Sequence, residues 1–302
     1  MPLTTSIPLP QTFTHTTATH SYQVHYTTLG SPSSPPLIFI HGTPWSSFVW
    51  ATHARALALH FHIHLFDCPG FGTSPPGTPL PHTSITPETA LDSDLAEQTR
   101  VFAALYAHWA RAWGGAAPHV VAHDVGGLLA LRAVLMHGCA LASLCLVDVV
   151  AVGPFETPLF KLIAAHEGVF GALPGPMFAG VVEGYIREAA WAEIGTEVME
   201  ALKKPWIQND QGRMGFLRQM VQASRRSVEE VEEQYGKVGE KMPVMVIWGA
   251  EDQWLPVETA SRVKEKVQAR EMVLIEGAGH LVMYDQPESF GVELTWWLKS
   301  VG

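Results

Sequence analysis

The sequence predicts an α/β fold built on a mostly parallel, doubly wound sheet with helices on both faces. Short, continuously apolar runs such as P-L-I-F-I-H-G and A-S-L-C-L-V-D-V-V recur along the chain, and such runs are typical of strands buried on both faces. Helical segments alternate with them, as expected for a parallel sheet. The 302 residues are 47% hydrophobic and 16% charged, so the chain is long enough to bury a large core.

The first half of the chain contains three predicted strands and one long helix. Residues 1–20, rich in Thr, Pro and Ser, are predicted to form an extended lead-in. Three strands are then indicated by S-Y-Q-V-H-Y-T-T-L-G, P-L-I-F-I-H-G and H-F-H-I-H-L-F-D. After a Gly/Pro-rich loop, residues 88–113 are predicted to be helical because their apolar residues fall on one side.

The second half repeats the alternation of strands and helices. H-V-V-A-H-D, A-S-L-C-L-V-D-V-V, P-V-M-V-I-W-G and E-M-V-L-I-E-G predict four more strands. Helices are predicted from Gly126 to His137 and from Pro287 to Lys299.

One long interval interrupts the pattern. From about Val152 to Lys241 no strand pattern is visible and several stretches are helical in character. We therefore predict a core formed by residues 1–151 and 242–302, with a mostly helical cap domain, or lid, over residues 152–241.

Composition excludes several classes of partner. The net charge is −10 and no Lys/Arg cluster stands out, which argues against binding to nucleic acid or to an anionic membrane. The three cysteines form no C-x-x-C pair, so no disulfide framework is expected. The start, M-P-L-T-T-S-I-P-L-P, lacks the basic and apolar regions of a secretory signal. These features favour a cytoplasmic protein.

Reactive side chains follow four predicted strands. Asp124 lies in V-V-A-H-D-V-G-G, Asp252 in W-G-A-E-D-Q-W-L-P and His280 in E-G-A-G-H-L-V, while Thr43 lies in H-G-T-P. Because the carboxyl ends of parallel strands meet at one edge of a sheet, these residues are expected to lie together. The order nucleophile, acid, histidine is that of a hydrolase triad with aspartate in place of serine.

These motifs, with D-C-P-G-F-G-T-S, resemble those of α/β-hydrolases with an aspartate nucleophile, a group that includes epoxide hydrolases and haloalkane dehalogenases. The resemblance runs from about residue 22 to the end of the chain. It implies the α/β-hydrolase fold, with Asp124 as nucleophile, His280 as general base for water and Asp252 as the acid that orients the imidazole. It also implies an oxyanion hole formed by the N–H groups of Thr43 and Val125.

A carboxylate nucleophile suits attack at a saturated, electrophilic carbon, which gives an alkyl ester of the enzyme. Water can then attack the aspartyl carbonyl and release an alcohol. This chemistry needs no cofactor, and none is expected. The alternating histidines of H-F-H-I-H are about 6.5–7 Å apart along one strand, so no metal site is predicted.

Several alternatives remain open at this point. Asp148, at the end of L-C-L-V-D, is a rival for the supporting acid, because some members of the group place that acid after this strand. The resemblance also implies a cis bond before Pro44. A non-catalytic ligand receptor on the same fold is a further alternative, and a homodimer is a candidate assembly.

The class of substrate is inferred by comparing the residues that would have to hold each leaving group. Dehalogenases of this group hold the halide with side-chain donors next to the nucleophile and in the H-G-N-P motif, whereas this chain has Val125 and Thr43 there. Epoxide hydrolases use lid donors, for which His166 and Tyr185 are candidates, although F-L-R-Q-M-V-Q-A carries glutamines where a second tyrosine is expected. An epoxide hydrolase acting on a small apolar organic substrate is therefore the leading hypothesis. A dehalogenase and an epoxide-opening cyclase, with Asp124 as base, are the alternatives. The candidate pocket residues are His41, Trp45 and His123. His41 and His123, beside the oxyanion turn and the nucleophile, are expected to support the local geometry, and Trp45 could line the pocket or pack under it.

Overall fold

A computed structural model describes residues 6–81, 92–153, 157–223 and 225–302. Within them, nine strands form one sheet in the order β1-β2-β4-β3-β6-β7-β8-β9, with the short β5 paired to β2. The strands are β1 (Gln11–Thr16), β2 (His20–Leu29), β3 (Pro36–Ile40), β4 (His62–Phe66), β5 (Thr78–Pro79), β6 (His119–His123), β7 (Ser143–Val147), β8 (Val244–Gly249) and β9 (Glu271–Ile275).

The sheet is mostly parallel, as the sequence predicts. Strands β3, β4, β6, β7, β8 and β9 run parallel, and β1, β2 and β5 pair antiparallel. Every residue of β3, β4, β6, β7 and β8 is buried, which explains their continuous apolar runs. The seven strands predicted from the sequence are all present.

The extended lead-in predicted over residues 1–20 contains a strand that the sequence analysis does not identify. Residues Gln11–Thr16 form strand β1, which pairs antiparallel with β2 from Gln11 opposite Tyr26 to Thr16 opposite Ser21. From Thr12 to Thr16, the residues of β1 alternate between exposed and half-buried positions. That alternation is typical of an edge strand with one face in water.

The helices cover both faces of the sheet and its carboxyl edge. No helix among the described residues is both long enough and apolar enough to cross a bilayer. The helices are α1 (Ala51–Leu57), α2 (Leu95–Ala110), α3 (Val125–His137), α4 (Pro158–Ala165), α5 (Glu167–Gly171), α6 (Gly175–Ala189), α7 (Thr196–Ile207), α8 (Asp210–Gln222), α9 (Arg226–Glu229), α10 (Gly236–Lys241), α11 (Val257–Val267), α12 (Val282–Asp285) and α13 (Pro287–Val301).

Helix boundaries follow local capping chemistry. Of the predicted helix 88–113, the described residues show α2 beginning after Asp94, whose carboxylate accepts from the N–H of Ala96 at 2.7 Å. Residues 88–91 lie outside the described residues. Helix α3 begins one residue before the predicted Gly126, and α13 continues to Val301 instead of ending at Lys299.

Helices α4 to α10 all lie between β7 and β8, and the described residues of that interval contain no strand. Helix α8 contacts both α4 and α7. The indole N–H of Trp206 in α7 donates to the carbonyl of Pro44, just after β3, at 3.0 Å. Backbone N–H groups of Trp191 and Ala192 donate to the carboxylate of Asp285 at 2.9 Å each. These contacts hold the helices against the carboxyl ends of the strands, while the division into core and cap domains remains a prediction.

Candidate active site

Asp124 occupies a sharp turn between β6 and α3. Its φ is 54° and its ψ is −130°, a conformation that is costly for a residue other than glycine. Three backbone hydrogen bonds hold it there: its N–H donates to Val147 at 3.2 Å, and its carbonyl accepts from Gly127 at 3.0 Å and Val150 at 3.1 Å. The turn therefore presents the carboxylate at the edge of the sheet.

Two glycines let the neighbouring backbone approach this turn. A Cβ on Gly126 would lie 2.6 Å from the carbonyl oxygen of His41, and a Cβ on Gly42 would overlap the Asp124 carboxylate. Side chains at these positions would push α3 and the loop after β3 apart. The G-G of V-V-A-H-D-V-G-G and the Gly of H-G-T-P are thus required by close packing.

His280 lies between two carboxylates. Its Nδ1 is 2.8 Å from Oδ2 of Asp252, and its Nε2 is 3.4 Å from Oδ2 of Asp124. The other oxygen of Asp252 accepts from the N–H groups of Trp254 at 2.8 Å and Leu255 at 3.0 Å, which fixes the carboxylate. Among the described residues, Nε2 has no aligned hydrogen-bond partner. The Nε2 nitrogen therefore faces the carboxylate of Asp124 and has no other partner among the described residues.

The electrostatics of His280 reflect this placement. Burial lowers the pKa of its imidazole, but the charge and hydrogen bond of Asp252 and the close carboxylate of Asp124 outweigh burial and hold that pKa well above its ordinary value. The contribution of Asp124 exists only while its carboxylate is ionised. Any reaction that neutralises Asp124 therefore lowers the pKa of His280.

The loop after β3 provides a donor to the nucleophile. The backbone N–H of Thr43 donates to Oδ1 of Asp124 at 2.6 Å. Val125 lines the same cavity, and its N–H remains the predicted second donor. The Thr43–Pro44 bond is cis, as the resemblance implies.

Asp148, the rival acid, lies beside the triad but is bonded elsewhere. Its φ is 43° and it is fully buried. One carboxyl oxygen accepts from the N–H of Gly249 at 2.8 Å, while the other has no partner among the described residues. Burial, followed by the nearby charge of Asp252, raises the pKa of Asp148 well above its usual range. The geometry thus favours Asp252 as the partner of His280 and a neutral carboxyl at Asp148.

Two groups of residues could be considered for a metal. Asp148, Asp252 and His280 each place one ligand atom within 4.8 Å of the others. Nδ1 of His280 and Oδ2 of Asp252, however, are already joined by a hydrogen bond. In the alternating histidines, Nε2 of His64 accepts from the indole N–H of Trp113 at 3.0 Å, and burial lowers the pKa of His64 to about 3. Both groups have a structural explanation without a cation.

The cleft has two adjoining compartments. The nucleophile compartment is lined by Asp124, His280, Tyr185, Trp254, Thr157, Val150 and Leu255. The glutamine compartment is lined by His41, Gly42, Cys68, Phe71, Ser93, Gln98, Gly126, Leu129 and Gln219. Both are also lined by Thr43, Leu95, Val125, Phe160 and Ala223. The shared walls place the two compartments next to each other, and together they are called the cleft below.

Of the two lid candidates, only Tyr185 lies in the cleft. Its ring stacks on Trp254 with centroids 4.3 Å apart. Burial and the charge of Asp124 raise the pKa of its phenol, so the hydroxyl stays protonated. His166 is exposed at the junction of α4 and α5 and lines neither compartment. We correct that prediction: helix α4 turns Ile163 inward and ends at His166, which therefore faces solvent.

Of the three pocket candidates, only His41 lines the cleft. Its Nδ1–H donates to the carbonyl of Gly42 and its Nε2 accepts from the N–H of Cys68, both at 2.9 Å. His123 lies behind the triad, where its Nε2–H donates to the carbonyl of His280 at 2.9 Å. Trp45 is buried with its ring 6.1 Å from that of Trp254. Both residues are buried and occupy supporting positions, His123 beside His280 and Trp45 beside Trp254, and neither lines the cleft as a pocket candidate would.

Several residues that line the cleft are not candidates in the sequence, among them Thr157, Trp254 and Gln98, whereas Gln219 is one of the glutamines found where a second tyrosine is expected. Trp254 lies two residues after Asp252 in E-D-Q-W, and that proximity is the available signal. The glutamines lie on helices α2 and α8, far apart in the sequence. Only the packing of α8 over the strand ends brings them together.

Comparison with known proteins agrees with this architecture. Over 278 residues the chain is 23% identical to pimeloyl-[acyl-carrier protein] methyl ester esterase of Vibrio vulnificus, covering 89% of this chain and 96% of that protein. It is 24% identical to epoxide hydrolase 1 of Caenorhabditis elegans, covering 88% and 65% respectively. A solved alpha/beta hydrolase fold protein from Burkholderia ambifaria is 30% identical with a TM-score of 0.82, covering 95% of this chain and 97% of that one. The model of the alpha/beta hydrolase family matches residues 37–291. The chain therefore belongs to the alpha/beta hydrolase family.

Proposed function

We propose that this hydrolase opens an epoxide through an alkyl ester on Asp124 and then hydrolyses the ester with water activated by His280. One observation carries the proposal. A carboxylate, not a hydroxyl, occupies the turn, with Oδ1 bonded to the N–H of Thr43 and Oδ2 facing Nε2 of His280 at 3.4 Å. In the proposed reaction the two oxygens therefore have different roles: Oδ2 attacks the substrate, and Oδ1 is held by the N–H of Thr43.

In the first step, Oδ2 of Asp124 attacks one ring carbon of the epoxide. The C–O bond of the ring breaks and its electron pair moves to the oxygen, which takes the phenolic proton of Tyr185. Tyr185 suits this role because it lines the nucleophile compartment and its raised pKa keeps it protonated before attack. The product of the step is an ester whose carbonyl belongs to Asp124.

In the second step, His280 removes a proton from water, which attacks the carbonyl carbon of the ester. The negative charge that develops on Oδ1 is stabilised by the N–H of Thr43, which already contacts that atom at 2.6 Å. Collapse of the tetrahedral intermediate breaks the bond to the alkyl oxygen, which takes the remaining proton of the added water, so the diol leaves and the carboxylate is restored. The proton on His280 returns to the phenolate of Tyr185.

An epoxide fits the donors of the compartment better than a halide or an ester does. The phenol of Tyr185 can deliver a proton to an oxygen leaving group. Val125 offers no side-chain donor, and the indole N–H of Trp254 is directed to the carboxylate of Glu188 at 3.3 Å. Attack by Asp124 on an ester carbonyl would give an anhydride. No G-x-S-x-G segment occurs in the chain to provide a serine nucleophile.

The proposal is tested by single-turnover hydrolysis of an epoxide in H₂¹⁸O with enzyme in excess. We expect the new hydroxyl of the first diol formed to contain ¹⁶O, because that oxygen is Oδ2 of Asp124, and ¹⁸O to enter the protein. Mass spectrometry of the diol and of the peptide containing Asp124 measures both. Under multiple turnover the same reaction should place ¹⁸O in the diol. A diol containing ¹⁸O after the first turnover would show direct attack by water and contradict the covalent mechanism.

We expect ester hydrolysis to be lost at low pH while ester formation persists. Protonated His280 cannot accept a proton from water, and Asp252 keeps its pKa raised even after Asp124 has been esterified. Below that pKa the hydrolysis rate should fall about tenfold per pH unit, and the ester should accumulate. Rapid quenching between about pH 5 and 9 followed by intact mass measures both steps. A hydrolysis rate that does not change over this range contradicts His280 as the base.

A further inference from the structure

The glutamine compartment contains a buried amide without partners. Gln219, on α8, is only 5% exposed. Neither Nε2 nor Oε1 of its side chain has a hydrogen-bond partner in the part of the chain that the structure describes. Buried polar groups in native proteins are rarely left unpaired, because each costs free energy. A side chain of this kind beside a catalytic cleft points to a ligand.

Gln98 supplies a second unpaired atom in the same compartment. Its Nε2 donates to the backbone carbonyls of Pro69 at 3.0 Å and Asp92 at 3.3 Å. Because carbonyl oxygens only accept, these bonds fix which end of the amide faces them. Its Oε1 is buried and has no partner among the described residues. Gln98 therefore offers an oriented acceptor.

We propose that Gln219 and Gln98 form a specificity site for a neutral hydrogen-bonding group on the substrate, a hydroxyl or a carboxamide, remote from the carbon that Asp124 attacks. Gln219 offers an NH2 group with two donor hydrogens and a carbonyl acceptor, and Gln98 offers an acceptor. A hydroxyl or a carboxamide has both a donor and an acceptor to match them. The identity of the reacting group rests on the proposed function, whereas binding at this site does not.

The walls of the compartment determine what else the ligand must be. Leu129 and Phe71 line it, and Leu95 and Phe160 line both compartments. The ligand is therefore apolar between its reacting carbon and its polar end. A carboxylate is disfavoured, because it would face the acceptor oxygen of Gln98 and no Lys or Arg is among the described residues that line this compartment.

The experiment compares terminal epoxides of equal chain length that end in a hydroxyl, a carboxamide, a carboxylate or a methyl group. For the wild type, we expect kcat/KM for the hydroxyl or carboxamide substrate to exceed that of the methyl substrate by about tenfold or more. In Gln219→Met, which keeps the length of the side chain without its hydrogen bonds, the preference should disappear. Gln211→Met on the same helix is the matched control, because Gln211 is exposed, and it should retain the wild-type preference.

Thermal unfolding distinguishes a binding residue from a structural one. Since Gln219 has no partner among the described residues to lose, Gln219→Met should keep or raise the Tm of the ligand-free protein. A lower Tm together with equal losses on all four substrates would indicate a packing role and overturn the inference. Equal turnover of the methyl and hydroxyl substrates by the wild-type enzyme would also overturn the inference. It would mean that water, and not the substrate, satisfies the amides of Gln219 and Gln98.

Binding of unreactive 1,2-diols with a terminal hydroxyl or methyl group, measured by calorimetry, separates this inference from the proposed function. Suppose that no epoxide is turned over, but that the hydroxyl-terminated diol binds about tenfold more tightly than its methyl analogue and that this difference requires Gln219. The proposed function then fails and the specificity site stands. If epoxides are turned over but neither binding nor kcat/KM depends on Gln219, the site fails and the proposed function stands.

Discussion

Replacing His280 with Gln is expected to trap the protein as a stable ester on Asp124 after exposure to an epoxide. Attack by Oδ2 needs no base, and the N–H of Thr43 still holds Oδ1. The amide of Gln cannot accept a proton from water, so the second step should slow by about 10² to 10⁴-fold. Intact-mass measurement should show a gain equal to the whole epoxide.

The control is the double variant His280→Gln with Asp124→Asn, which should gain no mass. Peptide mapping of the single variant should place the added mass on the segment containing Asp124. A gain equal to an alkyl group with release of halide, seen only with alkyl halides, would make the protein a dehalogenase. An adduct with neither class of compound contradicts the covalent mechanism and favours a role for Asp124 as base, or a binding protein.

The second large effect is expected at Asp252. Replacing it with Asn should lower the rate of ester hydrolysis by about 10⁴-fold. The amide oxygen would stay with the N–H groups of Trp254 and Leu255, so the NH2 group would face Nδ1 of His280, where it can neither accept from Nδ1–H nor stabilise the imidazolium. Single-turnover kinetics measure this step apart from ester formation. Ester formation should change little, since Asp252 does not contact Asp124.

The matched control is Asp148→Asn, which makes the same chemical change at another buried carboxyl beside His280. We expect its turnover to stay within about threefold of the wild type, because Asp148 bonds Gly249 and not His280. If Asp148→Asn abolished hydrolysis and Asp252→Asn did not, the assignment of the acid would be reversed.

The same variant is expected to be stabilised, most clearly at neutral and alkaline pH. The pKa of Asp148 is raised in the folded state, so its favourable contribution to the free energy of unfolding is complete below the unfolded pKa of about 4 and is lost as pH rises towards the folded pKa. Asn does not ionise. The Tm difference between Asp148→Asn and wild type should therefore increase with pH in thermal unfolding experiments, and a constant difference would contradict the raised pKa.

The sequence by itself determined the strands that are buried on both faces and the turn that presents Asp124. Strands buried on both faces must be continuously apolar, so P-L-I-F-I and H-V-V-A-H are visible without a structure. A turn with positive φ between a strand and a helix needs small neighbours, which marks Asp124 through V-V-A-H-D-V-G-G. These signals are local, because hydrogen bonding and packing within one strand and one turn produce them.

Only the tertiary structure decided which residues surround the nucleophile. The choice between Asp252 and Asp148 depended on which carboxylate lies 2.8 Å from Nδ1 of His280, and both acids follow a strand in the sequence. In the sequence, His166 and Tyr185 are equivalent candidates. In the structure, His166 is exposed just after α4, whereas Tyr185 on α6 lines the nucleophile compartment with Asp124. An amphipathic helix shows which of its faces is buried, but not what that face covers. That depends on contacts between segments far apart in the chain, which is why the roles of the lid residues and of Gln219 emerged only from the fold.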